Sequence, residues 1–348
     1  MKIGIIFGGR SSEKEVSLVG GRNVFQHLDR VRYTPIALFW DDNFRFWEIP
    51  ETLVIRNTTK EVVERLEKFG KHIPYESLHE VIDLAFLVTH GKYGDDGCLQ
   101  GLLELLHIPY TGSGVLASAI GMEKATQRRL LADASVGIPK YRRVDDWEWE
   151  EREEGILTEC EDTFGYPYVV KPTREGSTFG VSVVHVRDEG EGAFSGAFAY
   201  DRSVLIEPYI RGREFSCIVL GNDNAQALSV TETKHQEEIF TYDEKYLPGA
   251  AQKITPMEVD EETLHKIQQQ AVATYTALDC KNYARIDGFL ADDGRILITD
   301  PNSAASTGMG ASSFTFHQAA AANMTTTQFL TKIIELAQDA HQNKKGPL

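Results

Sequence analysis

In the first third of the chain, apolar positions alternate between short continuous runs and helical spacing. Lys2–Phe7, Tyr33–Phe39 and Asp83–Val88 have the length of buried strands. The segments from about Glu13, at Lys60–Phe69 and at Leu99–Leu106 space their apolar residues as helices do. A short strand at Ile108–Tyr110 follows. Strands separated by helices predict a parallel α/β sheet. Ser12 and Glu15 have capping-box spacing, so the first helix is expected to begin just after Gly8-Gly9. Its unpaired N–H groups would then face the end of the first strand, where ligands bind in such sheets.

The pattern changes near Lys124. A helix is predicted from about Glu123 to Ser135. Strands follow at Tyr168–Pro172, Val181–Val186 and Val204–Glu207, forming a smaller and partly antiparallel unit. From Arg213 onward come further strands, a helix near Glu261–Leu278, a hairpin over Tyr283–Pro301 and a closing helix at Thr326–Ala340. The pattern divides the chain into three lobes, 1–120, 121–212 and 213–348.

The chain has 348 residues, of which 42% are hydrophobic, enough for real cores and too many for a disordered chain. No run reaches the ~18 apolar residues of a membrane span, and the five-residue apolar start reads as a strand and not a signal sequence. The net charge of −16 argues against a nucleic-acid binder. Asp145–Asp162 alone holds ten acids and one base, Arg152, and is read as a solvated helix face or loop without a catalytic role. Cys98, Cys160, Cys217 and Cys280 show no metal or disulfide spacing, which fits a reduced cytoplasmic setting.

The richest segment runs from Tyr283 to Asn302. Two strand-like runs flank Asp293-Gly294, a two-residue hairpin signal. Counting outward from that turn pairs Ala291 with Ile296, Phe289 with Ile298, Asp287 with Asp300 and Arg285 with Asn302, all on one face. Opposed carboxylates are destabilising unless something neutralises them. An all-oxygen set with Asn302 suits a hard cation such as Mg²⁺; a proton-sharing acid pair is the alternative. A three-residue turn would separate the two aspartates.

Other segments are less specific. Lys171 ends an apolar strand and is followed by the small-residue loop Glu175-Gly176-Ser177, either a phosphate cradle or an ordinary hairpin loop. Glu207 and Glu214 bracket a strand connection and could hold adenine and ribose, or simply face water. Gly112-Ser-Gly114-Val-Leu-Ala117 matches a dinucleotide fingerprint in form, yet lies at the wrong strand and reads as a packing turn. His90, after a buried-looking strand, is either a base or a turn residue.

Taken in order, these pieces resemble the D-alanine–D-alanine ligases of the ATP-grasp superfamily. The resemblance rests on Phe7-Gly8-Gly9-x-Ser-x-Glu13-x-Glu15-Val-Ser17, His90-Gly91-x-x-Gly94-Asp-Asp-Gly97-x-x-Gln100-Gly101, Pro109–Ser118 and Met122-Glu123-Lys124. It continues through Val170-Lys171-Pro172-x-x-Glu175-Gly176-Ser177, Gly212-Arg213-Glu214-Phe215, Tyr242–Tyr246, Arg285-Ile-Asp287 and Gly308-Met309.

The resemblance implies an α/β fold of three lobes: an N-terminal Rossmann-like domain, then two ATP-grasp lobes that sandwich ATP. It implies a cytoplasmic enzyme, a homodimer like its relatives, that joins two D-alanines for peptidoglycan through an acyl phosphate. Lys124 and Lys171 would bind ATP phosphates, with Glu175, Gly176 and Ser177 in the loop above them. Glu207 and the backbone of Tyr209 and Ile210 would hold adenine, and Glu214 the ribose. Asp287, Asp300 and Asn302 would bind two Mg²⁺ ions, with Mn²⁺ as the alternative. Arg285 and the N–H of Gly308 would stabilise the tetrahedral oxyanion. Glu13 would accept the first substrate's ammonium in a network with Ser177 and Tyr246. Lys245 would sit on the γ-phosphate, and Tyr242–Lys253 would form a lid. Ser313 and the backbone of Phe314 would receive the second substrate's carboxylate, and His90 would position that substrate.

Some positions depart from the family pattern. Asp300-Pro301-Asn302 stands for Glu-x-Asn, Ser303–Thr307 for a tighter link, Gly310 for threonine, Phe314 for leucine and Phe240-Thr241 for Tyr-Asp. Most lie at the second-substrate end. This leaves as alternatives a ligase that joins D-alanine to another amino or hydroxy acid, and a non-catalytic nucleotide-binding homologue.

Overall fold

A computed structural model describes residues 1–176, 178–234, 252–303 and 307–343. The first sheet contains β1 (Lys2–Gly8), β2 (Thr34–Trp40), β3 (Phe46–Glu48), β4 (Lys71–Ile73) and β5 (Leu84–Leu87) in the order β4-β3-β2-β1-β5. β2, β1 and β5 run parallel, as the strand–helix alternation predicts. β3 and β4 are antiparallel additions at one edge, so the sheet is mixed. At three residues each, these strands are too short to carry a period. The expected strand at Ile108–Tyr110 shrinks to a single bridge from Tyr110 to Ala85. The helix expected over Lys60–Phe69 is two short helices, Thr59–Val63 and Leu66–Phe69.

Helix Lys14–His27 lies hard against β1. A Cβ on Gly21 would come 2.4 Å from the Phe7 ring, and one on Gly20 would come 2.7 Å from Val88. These small residues let the helix approach the sheet and bring its first turn to the end of β1. There Gly8 adopts φ +98°, a left-handed conformation suited to glycine, and turns the chain into that helix.

The second sheet, β6 (Arg142–Asp145), β7 (Tyr168–Pro172), β8 (Ser182–Val184) and β9 (Ser203–Pro208), is ordered β6-β9-β7-β8 with every pair antiparallel. The acidic run forms helix Asp146–Phe164, which kinks at Arg152. Trp149, Ile156, Leu157 and Cys160 bury one stripe of it, while Glu154, Glu159 and Glu161 pair with Arg142 and Arg187. A solvated face is what the charge pattern predicts.

The third sheet is antiparallel throughout. β10 (Gly212–Gly221), β11 (Gln226–Lys234), β12 (Gln252–Ile254), β13 (Asn282–Ala291) and β14 (Ile296–Asn302) take the order β12-β11-β10-β13-β14. Helix Glu261–Ala277 covers one face, with Ile267, Ala271 and Tyr275 packed on Phe215, Val219, Ile286 and Ile298. Leu131 and Val136, from and just after helix Lys124–Asp133, join the same core.

The last helix, Thr326–Gln342, opens with a true capping box between Thr325 and Gln328. Its Phe329, Leu330, Ile333 and Ile334 join the core formed by Ile3, Ile5, Phe7 and Leu18 together with Ile218 and Tyr283 of the third sheet. The first and third sheets therefore share a core. Among the described residues no helix is long and apolar enough to cross a membrane.

Candidate active site

A cavity of about 260 Å³ lies between the start of the first helix, the loop after β7 and the third sheet. Its lining includes Glu13 from the first helix, Lys124, Glu175 and Gly176 from the middle of the chain, and Glu214, Arg285, Asp287, Asp300, Asn302, Gly308, Ser313 and Phe314 from the last third. Twelve of the expected site residues thus converge from distant parts of the sequence.

The expected capping box at Ser12 and Glu15 does not form. Glu13 is the N-cap residue and makes no side-chain cap bond. Glu15 instead accepts hydrogen bonds from the backbone N–H and hydroxyl of Thr59, and Ser12 Oγ lies 3.4 Å from Glu175 Oε1. The buried Glu13 reaches across to the central loop. A Cβ on Gly176 would come 2.4 Å from Glu13 Oε2, so only glycine fits with this carboxylate in place.

The carboxylate pair sits on the hairpin, but not by the route the turn signal implies. Ala291 N–H donates to Arg295 O and Gly294 N–H donates to Ala291 O, which closes a three-residue loop with Gly294 at φ +85°. Near the tip the register is therefore one residue off the expected one: Leu290 faces Ile296, Phe289 faces Leu297 and Gly288 faces Ile298. A bulge at Thr299 shifts it back, so Asp287 faces Asp300 and Arg285 faces Asn302. Ile298 belongs to the buried core with Ile286, not to the carboxylates' face as the regular ladder predicts.

Asp287 accepts hydrogen bonds from Ser216 Oγ at 2.6 Å, Asn302 Nδ2 at 2.8 Å and Arg285 Nε at 2.9 Å. Arg285 also donates to Thr307 O at 3.2 Å and lies over the Phe314 ring. Lys124 Nζ donates to Glu175 O at 2.9 Å and sits 3.5 Å from Asp300 Oδ1. Two carboxylates and an amide oxygen, with protein cations at their margins, form a donor set that fits Mg²⁺.

Behind this face lies a buried charge cluster. Lys171 Nζ and Arg128 Nε each approach one oxygen of Glu207 at 2.6 Å, and Arg128 Nη2 donates to Thr299 O at 2.6 Å. Burial alone would raise the Glu207 carboxyl, but the two cations hold it below its ordinary value. Burial, helped by Arg128, pushes the Lys171 ammonium down. Both Glu207 oxygens are engaged by protein, and the Tyr209 N–H donates to Pro167 O. Tyr209 and Ile210 are the two residues that follow β9. These adenine-binding candidates lie together at the end of one strand.

Arg128 was not anticipated, because a lone arginine in a polar helix resembles a solvated one. Its signal is Glu207 itself, an acid ending the apolar run Val204-Leu-Ile, which requires a buried cation. Ser216, hidden in a strand, was missed as well, and Lys253 was reached only as the end of the expected lid, not as a residue of the cavity wall.

His90 is buried beside the cavity, and its Nε2 has no hydrogen-bond partner. Burial, reinforced by the charge of Arg285, pushes its pKa down to about 4, so the ring is neutral at pH 7. Gly112-Ser-Gly114 packs on the start of β13 through Asn282 and Lys281, which fits a packing turn. Ser177, Lys245 and Tyr246 lie outside the described residues, as does the proposed lid except Gln252 and Lys253. Those two are part of β12 and pair with Lys234 and Thr233.

Comparison with known proteins follows the same outline. The family model described as D-ala D-ala ligase N-terminus matches residues 2–113, and the one described as D-ala D-ala ligase C-terminus matches 130–335. The D-alanine–D-alanine ligase of Geobacillus thermodenitrificans is 36% identical over 312 residues, 86% of each chain. The solved D-alanine–D-alanine ligase of Coxiella burnetii superposes with a TM-score of 0.84 at 26% identity, covering 98% of this chain and 95% of its own. The VanG D-Ala:D-Ser ligase of Enterococcus faecalis also gives 0.84, at 30% identity over 97% and 99% of the two chains. From its first strand to its last helix, this chain belongs to the D-alanine–D-alanine ligase family, an ATP-using family with the ATP-grasp fold.

Proposed function

We propose that the protein condenses two D-alanines to D-alanyl-D-alanine at the expense of ATP. A carboxylate oxygen of the first D-alanine attacks the γ-phosphorus, the bond to the ADP oxygen breaks, and an acyl phosphate forms. The amine of the second D-alanine then attacks the acyl carbon, loses a proton, and inorganic phosphate leaves. Phosphoryl transfer asks a protein for alignment and charge neutralisation more than for a nucleophile. The observation that carries this reading is the convergence of Glu13, Lys124, Gly176, Arg285, Asp287 and Asp300 on one cavity.

Glu13 takes the ammonium of the first D-alanine. Lys124 and Lys171 take phosphate oxygens, and Glu207, Tyr209, Ile210 and Glu214 take the adenosine end. Glu207 would then share its oxygens between adenine and the two cations already on it. Asp287, Asp300 and Asn302 would hold Mg²⁺, which neutralises phosphate charge when bound. Arg285 and the Gly308 N–H face the developing oxyanion, Ser313 and Phe314 receive the acceptor, and the neutral His90 orients it. Ser177, Lys245 and Tyr246 complete the set by resemblance, within a three-lobed cytoplasmic homodimer divided near 121 and 212.

The test is ADP release with D-alanine as the sole amino acid, with and without a chelator. Chelator-sensitive release restored by Mg²⁺, with dipeptide formed in step, is the expected result. A protein that releases ADP only with D-serine or a D-hydroxy acid beside D-alanine has another acceptor. One that binds ATP without turnover is no ligase.

A further inference from the structure

Lys253 ends the segment expected to form the lid, but its ammonium has been given no role of its own. It lies in β12, its side chain lines the cavity, and its Nζ sits 4.5 Å from the centroid of the Phe314 ring. Among the described residues its hydrogen bond goes to a neutral acceptor, Ser312 O, at 2.8 Å, and no carboxylate pairs with it. A half-buried ammonium left on a carbonyl and a ring face keeps capacity for an anion.

The groups around it point the same way. Ser313 Oγ is buried without a hydrogen-bond partner, and Ser313 is the N-cap of helix Phe314–Ala321, whose first N–H groups open on the same spot. Gly308 and Arg285 line the adjoining wall. Among the described residues, the charged and titratable groups facing Lys253 are Arg285 from β13, itself paired with Asp287, and His317 from helix Phe314–Ala321. Burial, with Arg285 adding to it, lowers the Lys253 pKa to about 8, so the ammonium persists at pH 7 and is lost just above.

We infer that Lys253 is the cation that binds the acceptor's α-carboxylate, completing with Ser313 Oγ and the Phe314 N–H a three-sided clamp specific for acceptors carrying a free carboxylate. The inference rests on the proposed ligase reaction and deepens it. With Lys253 in the clamp, an acceptor whose carboxylate is masked as an amide loses a charge-assisted bond that D-alanine keeps. Lys253 would leave Ser312 O for the incoming carboxylate, a small swing of a long side chain.

Lys253→Met and Lys253→Arg separate this role from a structural one. At saturating ATP and pH 7, Lys253→Met should raise the KM for the second D-alanine by roughly tenfold or more. It should leave kcat and the KM for ATP within about twofold. D-Alaninamide should be used as acceptor equally by wild type and Lys253→Met. Above pH 8 the wild-type kcat/KM for the acceptor should fall, while Lys253→Arg keeps its value through that range. An unchanged acceptor KM in Lys253→Met, an equal loss with the amide, or a coincident alkaline limb in wild type and Lys253→Arg would each overturn the assignment while leaving the ligase reading intact. A wild-type protein inert toward D-alanine would overturn both.

Discussion

Replacing Arg128 by methionine tests the buried charge cluster directly. The guanidinium is fully buried and makes two bonds of 2.6 Å, one to Glu207 and one to the Thr299 carbonyl. Methionine fills most of the volume but supplies no donor. Glu207 keeps Lys171, so the carboxylate is not left alone, yet it loses half its compensation, and Thr299 O loses its partner inside the protein. Removing one member of a buried ion pair costs ~3–5 kcal/mol, and the orphaned carbonyl falls within that range. Arg128→Lys keeps the charge but cannot span both acceptors, so its loss should be smaller, about 1–2 kcal/mol. Urea unfolding followed by fluorescence and circular dichroism gives the difference, provided the two probes share one transition. A loss below ~1 kcal/mol for Arg128→Met at unchanged m would refute the view that this cluster is a stability element. In that case Glu207 would owe its ionised state to Lys171 alone.

Three further outcomes follow from the geometry. Arg285→Ala should cut kcat by ~10²-fold or more with ATP affinity nearly unchanged, given the proposed role of Arg285 at the oxyanion and not at the nucleotide; steady-state rates beside ATP titration calorimetry decide it. Gly176→Ala should displace Glu13 and raise the KM of the first D-alanine by ~10-fold or more, with a much smaller effect on ATP. His90 titrates near 6.5 when unfolded and near 4 when folded, so the unfolded chain takes up a proton first as pH falls. Its contribution is intact above pH 6.5 and declines by roughly 3 kcal/mol on the way down to pH 4. His90→Gln should flatten that part of the acid limb in a pH series of urea midpoints, and a limb of unchanged slope would count against burial as the cause.

Lys171, Glu207 and the hairpin acids were legible from the pattern, since polar side chains stand out in or at the ends of apolar strands. The roles of Glu13, Lys124, Arg285, Gly308, Ser313 and Phe314 came from the family resemblance alone. Asp287 and Asp300 were placed opposite each other by a count that erred twice. The loop holds three residues where Asp293-Gly294 signals two, drawing Asp292 out of the β13 side, and Thr299 then adds one on the opposite strand, β14, so the offsets cancel. Neither irregularity has a local sequence signal, since Thr299 is an ordinary strand residue. The capping box failed because Glu15 found a tertiary partner in Thr59, which outweighs local spacing. Arg128 and Lys253 act through residues far away in sequence, Glu207 and Phe314, and one-dimensional patterns do not carry such pairings.

The Thr299 bulge also decouples two dimensions of the ribbon that a regular ladder would lock together. In a perfect hairpin, tip length dictates which residues meet many steps away, so a single insertion or deletion would turn one aspartate toward the opposite side. Here an extra residue at the tip is already absorbed further down, and the Arg128 bond to the Thr299 carbonyl pins the place of absorption. The distal end of this ribbon can therefore be lengthened or trimmed through such compensating slips without disturbing the acids at its base.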